Sequence, residues 1–281
     1  MSDFIKQNAI KNTFKVGDSW AILSEIERSI KDKIERIGVP LKNWNIKISR
    51  GILTGCNEAY IIDGEKRKKI LDNCVSEDER IRTDKIIRPI LRGRDINRDG
   101  YKWAGLYCIL AYFDLHKEIE SYPSIYEHLK RYELKLRSRG QVRYTSSGKP
   151  KIGADCPGQH HWLELDNNPR KEYMDDFSKQ KIIWSDISTE PNFLYNDEEI
   201  YFNNTCYMIT GAPEWIVYYL NSDIIRWYFP KVIATDLGAG TRYFKQFVEK
   251  IPVPKEYNSE TFYSDIGLSD EEIKFISSFV N

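Results

Sequence analysis

The most regular feature of the sequence is a stripe of apolar side chains between Ser19 and Ile37. Apolar residues recur there at spacings of three and four, which is the period of an amphipathic α-helix. Gly38 and Pro40 follow directly and predict the end of this helix. An apolar stripe must be buried, so we expect the helix to pack on a neighbouring domain or on another chain.

The composition favours a folded protein without a membrane anchor. Apolar residues make up 41% of the 281 residues, which is ample for a core. No apolar run approaches the roughly 18 residues of a transmembrane helix. The first residues lack the apolar centre of a signal peptide, and the five cysteines are scattered and odd in number, as is typical of reduced thiols. We therefore expect a cytoplasmic protein with no membrane partner.

The charges balance in number but are segregated along the chain. The 42 basic residues equal the 42 acidic ones. Basic residues are concentrated at 80–98 and 128–151, whereas acidic residues dominate 164–199. A neutral chain with this distribution can present one basic face to phosphates, although an ordinary solvated surface explains the clusters equally well.

Short strands and helices follow one another along the chain. Strands are predicted at 85–91, 103–114, 181–185 and 205–210, with two more around a glycine-containing turn at 44–62. Helices are predicted at 123–137, 213–229 and 244–250, and another begins at Ser269, an N-cap residue. Residues 139–158 have no period and are rich in Gly, Ser and Lys. We interpret them as a long exposed loop or hairpin, and such loops are often functional.

The run Thr235–Thr241 (TDLGAGT) is similar to the glycine-rich loop that holds S-adenosylmethionine in methyltransferases. That loop needs a strand, a tight turn and a helix within a sheet. Too few residues follow it here to complete a sheet, and Arg242 occupies the position where a third glycine is usual. The Asn/Asp-Pro-Pro-aromatic motif of adenine methyltransferases is also missing, because the chain has no Pro-Pro pair.

Two further patterns are candidates for catalytic or metal sites. Asp114, followed by the Glu-x-Lys triplet at 133–135, matches a magnesium-dependent nuclease motif, but the triplet falls within a predicted helix. Cys156, His160 and His161 lie close together without the CxxC partner of a structural zinc site. The sequence thus predicts no catalytic residue, no cofactor site and no metal site in this chain.

Five blocks of sequence carry a family resemblance. They are ISRGILTGCNEAYIID (Ile48–Asp63), KIIRPILRGRDI (Lys85–Ile96), KQKIIWSDIS (Lys179–Ser188), YYLNSDIIRWYF (Tyr218–Phe229) and VEKIPVP (Val248–Pro254). In this order and spacing they resemble the TaqI-like C-terminal specificity domain. That domain is the target-recognition part of adenine-specific DNA methyltransferases and of type IIG restriction enzymes.

The resemblance implies an α+β fold of the DNA-methylase specificity-domain type, with a mixed sheet, packed helices and an N-terminal connector helix. On this basis residues 1–40 are a helical connector, residues 41–255 a DNA target-recognition domain and residues 256–281 a helical tail. The implied function is sequence-specific recognition of double-stranded DNA for a restriction–modification system.

The resemblance also implies partners. The chain would direct an adenine-N6 methyltransferase domain or subunit, and in some systems a linked endonuclease, to the target. S-adenosylmethionine, and magnesium where a nuclease is present, would bind that catalytic partner, and the isolated chain would not be an enzyme. The alternatives are a small methyltransferase or nuclease in its own right, and a docking subunit that mainly binds a methyltransferase.

The predicted DNA contacts lie in the basic and glycine-bearing segments. They are Thr54, Asn57, Arg92, Arg94, Arg139, Arg143, Tyr144, Lys149, Lys151, Arg242 and Lys245. Thr54 and Asn57 could instead satisfy the hydrogen bonds of their own turn, as such residues often do. Gly51 and Gly55 would allow that turn and a close approach of another part of the backbone.

Overall fold

The structure is a computed structural model that describes residues 23–139, 160–166, 170–234 and 240–280. Its helices are α1 (Glu25–Ile37), α2 (Asn57–Tyr60), α3 (Gly64–Asp72), α4 (Glu77–Ile86), α5 (Leu115–Glu118), α6 (Pro123–Lys130), α7 (Glu133–Ser138), α8 (Lys171–Met174), α9 (Trp215–Leu220), α10 (Asp223–Tyr228), α11 (Lys245–Val248), α12 (Phe262–Asp265) and α13 (Asp270–Val280). Its strands are β1 (Val39–Pro40), β2 (Lys47–Arg50), β3 (Ile61–Asp63), β4 (Ile87–Leu91), β5 (Ile96–Asn97), β6 (Gly100–Tyr101), β7 (Leu106–Ile109), β8 (Lys181–Ser185), β9 (Ile187–Ser188), β10 (Leu194–Asn196), β11 (Tyr201–Phe202), β12 (Cys206–Thr210), β13 (Thr241–Arg242) and β14 (Pro252–Val253).

Two four-stranded sheets organise the described residues. One has the order β10-β8-β12-β2 and is antiparallel throughout. The other has the order β11-β4-β7-β3, and in it β11 runs parallel to β4. The predictions of an α+β fold with a mixed sheet and of strands at 181–185 and 205–210 are confirmed.

The β8–β12 pair separates two apolar cores. Alternate residues of a strand point to opposite faces, so Ile183 and Met208 belong to one core while Ile182 and Trp184 belong to the other. Trp184 is fully buried, and its ring N–H donates to the carbonyl of Tyr243 at 2.7 Å. Burial of each large apolar side chain contributes about 1.5–3 kcal/mol, so both faces hold this sheet in place.

Helix α1 confirms the predicted amphipathic helix up to Ile37, but it begins at Glu25, and the described residues Leu23 and Ser24 are not helical. The Ser24 hydroxyl accepts from the Glu27 N–H and the Glu27 side chain accepts from the Ser24 N–H, so a capping box begins the helix. Ile30 and Ile34 are fully buried in the core that contains Trp184. The stripe therefore packs on the chain itself.

The C-terminal helix α13 is tied to α1 by one carboxylate. Glu272 accepts hydrogen bonds from Lys33 Nζ and Ser29 Oγ, both at 2.6 Å, and from the Ser269 N–H at 2.7 Å. Burial alone raises the pKa of Glu272, but these hydrogen bonds outweigh burial and lower it to about 2. The Glu272 N–H in turn donates to the Ser269 hydroxyl at 3.3 Å, which confirms the predicted cap.

Two predicted helices are interrupted. The segment 123–137 forms α6 and α7 with a turn at Arg131 and Tyr132, which allows both halves to reach the same core. The segment 213–229 breaks at Asn221, whose side chain bonds the N–H and the carbonyl of Phe193 at 3.0 and 2.7 Å. The prediction of continuous helices was wrong at both positions, and at Asn221 the break coincides with the long-range contact to Phe193.

The strands predicted at 44–62 belong to different sheets. Strand β2 pairs with β12 and β3 pairs with β7, with α2 between them. Gly51 directly follows β2, and a Cβ added there would approach the Asn203 carbonyl oxygen to 2.2 Å. The predicted close backbone approach at Gly51 is therefore confirmed.

None of the described helices combines the length and apolar character needed to cross a bilayer. The division of the chain at residues 40 and 255 stays a prediction.

Candidate functional site

Arg139 is a buried hub at the start of residues 140–159, which lie outside the described part of the chain. Only 7% of Arg139 is exposed. Its guanidinium donates to the carbonyls of Thr54, Trp162 and Glu164 at 2.8, 2.8 and 2.7 Å. A buried guanidinium needs such acceptors, because an unpaired charge in the interior is costly. The side chain thus has a structural role.

An ion pair extends this hub to the far side of residues 140–159. Asp166 Oδ1 lies 3.1 Å from Arg139 Nη1 and 2.9 Å from His160 Nε2. Gly55 lies against the pair with φ +65°, and an added Cβ would approach Asp166 Oδ2 to 2.2 Å. Gly55 is thus needed in its turn, but the group that approaches it closely is the Asp166 side chain and not the predicted backbone. Arg139 and His160, which flank residues 140–159, are both anchored at Asp166.

The turn before α2 uses its own polar side chains. Thr54 is 2% exposed, and its hydroxyl donates to Asn57 Oδ1 at 2.6 Å and accepts from the Cys56 N–H at 3.2 Å. The structure thus favours the turn-satisfying alternative for Thr54. Asn57 is exposed at the first residue of α2 and stays a predicted DNA contact.

A basic cleft lies between α3 and α6. Its volume is about 360 Å³. The lining residues of this α3–α6 cleft are Lys66, Lys69, Ile70, Asn73, Val75, Pro123, Ser124, Glu127, His128 and Arg131.

The charge balance of the α3–α6 cleft favours an anion. Lys66, Lys69 and Arg131 are exposed, and none has an ion pair with another described residue. Glu127 is the acidic lining residue. Burial lowers the pKa of His128, and the positive charges of Arg131 and Lys66 lower it further, so this imidazole is neutral at neutral pH. Three cations against one carboxylate leave the cleft positive.

The cleft adjoins the Thr54–Asn57 turn. His128 Nε2 lies 2.9 Å from the Ala59 carbonyl in α2, and Asn57 is in the same helical turn as Ala59. Lys135 Nζ pairs with Glu58, which is also in α2, at 2.5 Å. The cleft, α2 and the Arg139 hub consequently form one contiguous region.

The predicted contacts in the Arg92–Asp95 turn lie elsewhere. Arg92 binds the Asp95 carboxylate through two nitrogens at 2.9 and 2.8 Å, and these hydrogen bonds raise the pKa of Arg92. The Gly93 N–H donates to Thr205 Oγ1 at 2.8 Å. Arg92 is thereby held in the turn, whereas Arg94 is exposed.

Arg242 and Lys245 form a further group. Arg242 pairs with Ile187 in the β9–β13 ladder, and its guanidinium lies 5.9 Å from the centre of the Phe244 ring. Lys245 is exposed at the first residue of α11. Arg242 and Lys245 belong to β13 and α11, whereas Arg139 lies beside Asp166 and the turn before α2, so the predicted contacts fall in different parts of the fold.

Several sequence predictions fall on residues that the structure does not describe. Arg143, Tyr144, Lys149 and Lys151 lie within 140–159 and stay predictions, as does the part of the TDLGAGT run at 235–239. Cys156 is also outside the described residues, while His160 is buried against Asp166.

The three residues of the nuclease-like motif, Asp114, Glu133 and Lys135, each form an ion pair with a different residue. Lys117 lies 2.9 Å from Asp114, and Arg137 lies 2.8 Å from Glu133. Lys135 pairs with Glu58, as noted above. The helix predicted for the triplet is α7.

Sequence reasoning missed the cations of the α3–α6 cleft. Lys66 and Lys69 bound a run of four basic residues, KRKK, which was the available signal. Arg131 follows the last residue of α6, far along the chain from Lys66 and Lys69. Only the packing of α3 on α6 shows that these charges share one cleft.

Comparisons with known proteins find a matching sequence family and two solved structures that align with this chain. The sequence model of the TaqI-like C-terminal specificity domain matches residues 88–253, which is more than half of the chain. The type IIL restriction-modification enzyme MmeI in complex with DNA has a similar fold, with a TM-score of 0.51 and 14% identity over 74% of this chain and 25% of that one. The type IIG restriction endonuclease BpuSI aligns over 90% of this chain and 27% of its own at 12% identity, with a TM-score of 0.46. The chain spans about a quarter of the length of either enzyme.

Proposed function

The chain belongs to the TaqI-like C-terminal specificity domain family, and from this membership we propose that it recognises a specific sequence of double-stranded DNA for a restriction–modification system. The family match over residues 88–253 carries the proposal. The positive α3–α6 cleft beside the Arg139 hub supports it, because phosphate contacts supply most of the affinity of proteins for DNA.

We propose different roles for the residues of this region. The cations of the α3–α6 cleft contact phosphates and set the position of the protein on the duplex. Arg143 and Tyr144 read bases in the major groove, where all four base-pair orientations differ. Arg139 and Thr54 act as positioning residues, since their polar groups are used within the protein.

We further propose that the chain acts together with a catalytic partner. The chain would direct an adenine-N6 methyltransferase domain or subunit to its site, and that partner would flip the target adenine out of the stack. The partner would supply the S-adenosylmethionine site and, in a restriction enzyme, the magnesium-dependent nuclease.

The first experiment identifies the target and measures binding. Selection from random duplexes gives the preferred site, and fluorescence anisotropy then compares it with a scrambled duplex at several salt concentrations. We expect about four to eight phosphate contacts and hence a log–log salt slope of about −4 to −7. Equal, salt-independent affinity for all duplexes would refute DNA recognition by this chain.

Variants of the cleft test the phosphate contacts. The triple variant with Lys66, Lys69 and Arg131 changed to Ala should bind cognate and scrambled DNA more weakly by the same factor, with the slope reduced by about three. Lys274→Ala, which removes an exposed cation from α13, is the matched control and should bind like the parent. A triple variant that also binds like the parent would exclude the cleft from the interface.

Variants of residues 140–159 test base reading. Arg143→Ala should weaken cognate binding and narrow the margin over scrambled DNA, because one bidentate arginine–guanine pair gives about 1–3 kcal/mol of discrimination. Lys149→Ala and Lys151→Ala should weaken both equally. If all three bind like the parent, the exposed Arg94 is the next candidate.

Two further measurements separate the alternatives. Calorimetric binding of S-adenosylmethionine to the purified chain would favour an enzyme in its own right. Tight binding of a methyltransferase without measurable affinity for DNA would favour a docking subunit.

A further inference from the structure

We propose that Asp114, His116 and Glu164 bind a divalent cation of the zinc class. Each side chain offers one ligand atom, and these atoms all lie within 4.8 Å of one another. The inference concerns a cluster outside the α3–α6 cleft and does not depend on DNA binding.

The fold brings the three residues together from two distant parts of the chain. Asp114 and His116 flank the first residue of α5, and Glu164 comes from the short segment 160–166. The Leu165 N–H donates to the Ala111 carbonyl at 3.0 Å, which fixes the segment against the start of α5. His116 Nδ1 then lies 2.6 Å from Glu164 Oε1.

The ligands differ in burial in a way that suits a metal site. The Glu164 side chain is fully buried, whereas 32% of the His116 side chain and 39% of the Asp114 side chain are exposed. The other Glu164 oxygen accepts the His161 N–H at 3.1 Å, which holds the carboxylate in place. One ligand is therefore fixed, while the other two can adjust at the solvent side.

A cation would add positive charge beside the buried Glu164 carboxylate. A buried carboxylate is costly unless a positive charge or hydrogen bonds satisfy it. His116 and the His161 N–H are hydrogen-bonded to the Glu164 carboxylate. Lys117 bonds Asp114 at 2.9 Å, but 64% of its side chain is exposed, so a divalent cation can displace it from this carboxylate.

The donor set points to zinc rather than magnesium or calcium. An imidazole nitrogen with two carboxylate oxygens matches zinc ligands, which bind at about 2.0–2.2 Å. Magnesium and calcium prefer oxygen ligands throughout. The ring of His116 stacks on that of His161, with centres 4.6 Å apart, which limits its rotation. A small outward movement of His116 would give both ligand atoms room for one ion.

The ion would act as a clamp at the end of residues 140–159. Segment 160–166 carries His160 and Asp166, the residues of the ion pair with Arg139. A metal bound to Glu164 would fasten that segment to α5 through Asp114 and His116. We expect the bound ion to raise the thermal stability of the protein.

The test uses the whole chain after removal of metals with a chelator. Zinc affinity is measured by calorimetry, the visible spectrum is recorded during titration with Co²⁺, and the unfolding midpoint is measured with and without zinc. We expect one bound ion, a spectrum without the strong thiolate charge-transfer bands that cysteine ligands would cause, and a higher midpoint with zinc.

Asp114→Asn and His116→Gln are the informative variants. Both sites are partly exposed, and Asn is suited to the left-handed conformation of Asp114 (φ 72°), so both proteins should fold. Each should bind zinc at least about tenfold more weakly and lose the zinc-dependent rise in midpoint. Glu118→Gln, which removes a nearby carboxylate bonded to Tyr112 at 3.0 Å, is the control and should bind like the parent.

Three outcomes would overturn the proposal. The first is a parent protein that binds no zinc at millimolar concentration. The second is unchanged binding in Asp114→Asn and His116→Gln. The third is a preference for magnesium over zinc.

Discussion

Replacement of Arg139 by Lys separates a structural role from a DNA contact. Lys keeps the positive charge but loses the planar fork that reaches several acceptors at once. In the parent the guanidinium donates hydrogen bonds to the carbonyls of Thr54, Trp162 and Glu164, and it forms an ion pair with the Asp166 carboxylate. A single ammonium group can satisfy only part of this set.

The expected loss of stability follows from the number of hydrogen-bond acceptors that lose their donor when the guanidinium is removed. A hydrogen bond to a charged group is worth about 1.5–3 kcal/mol, and breaking a buried pair costs about 3–5 kcal/mol. Because Lys retains some of the contacts, we expect Arg139→Lys to lower the free energy of unfolding by about 3 kcal/mol. At an m-value of about 3 kcal/mol per molar urea, the midpoint falls by about 1 M.

Urea denaturation followed by circular dichroism measures this change. Arg137→Lys is the matched control, because Arg137 lies two residues before Arg139, in α7, and pairs with the partly exposed Glu133 at 2.8 Å. A pair of that kind is worth less than about 1 kcal/mol. DNA titrations of the folded variants complete the comparison. If Arg139→Lys unfolds like the parent but loses only cognate DNA binding, the side chain contacts bases and the structural assignment is wrong.

Three further predictions follow from the structure. Glu272→Gln should remove stability that is present above about pH 4.5 and is lost as the pH falls toward about 2, because the folded pKa is lowered from 4.5 to about 2. The difference corresponds to an upper limit of about 3 kcal/mol near neutral pH, and urea titrations of parent and variant should show a smaller difference at about pH 3, where part of this stability remains. Gly55→Ala should destabilise the protein by more than about 1 kcal/mol, since φ is +65° and the new Cβ would meet Asp166; a thermal midpoint equal to that of the parent would contradict this. Gly64→Ala, at a glycine with open space around its Cβ position, is the control and should not be destabilising. Asn221→Ala should lower the unfolding midpoint by an amount equivalent to about 1–3 kcal/mol, because Phe193 would lose both of its bonds to the amide; a change below about 0.5 kcal/mol would show that the helix break has another cause.

Patterns within a few residues predicted the local elements. The apolar spacing up to Ile37 identified α1, and apolar runs identified β8 and β12. These features depend on periodicity and on the burial of apolar side chains, which the local sequence records directly.

The tertiary structure decided the roles of the polar residues. Arg139 lies in a basic, aperiodic stretch and was predicted to contact DNA, but the carbonyls that bind it come from positions as distant as Thr54 and Glu164. The sequence likewise gave no sign that Arg131 shares a cleft with Lys66. Whether a charged side chain is buried or exposed depends on partners brought close by the packing of distant elements. Local sequence specifies which elements form, whereas the long-range packing determines which charges remain available for a ligand.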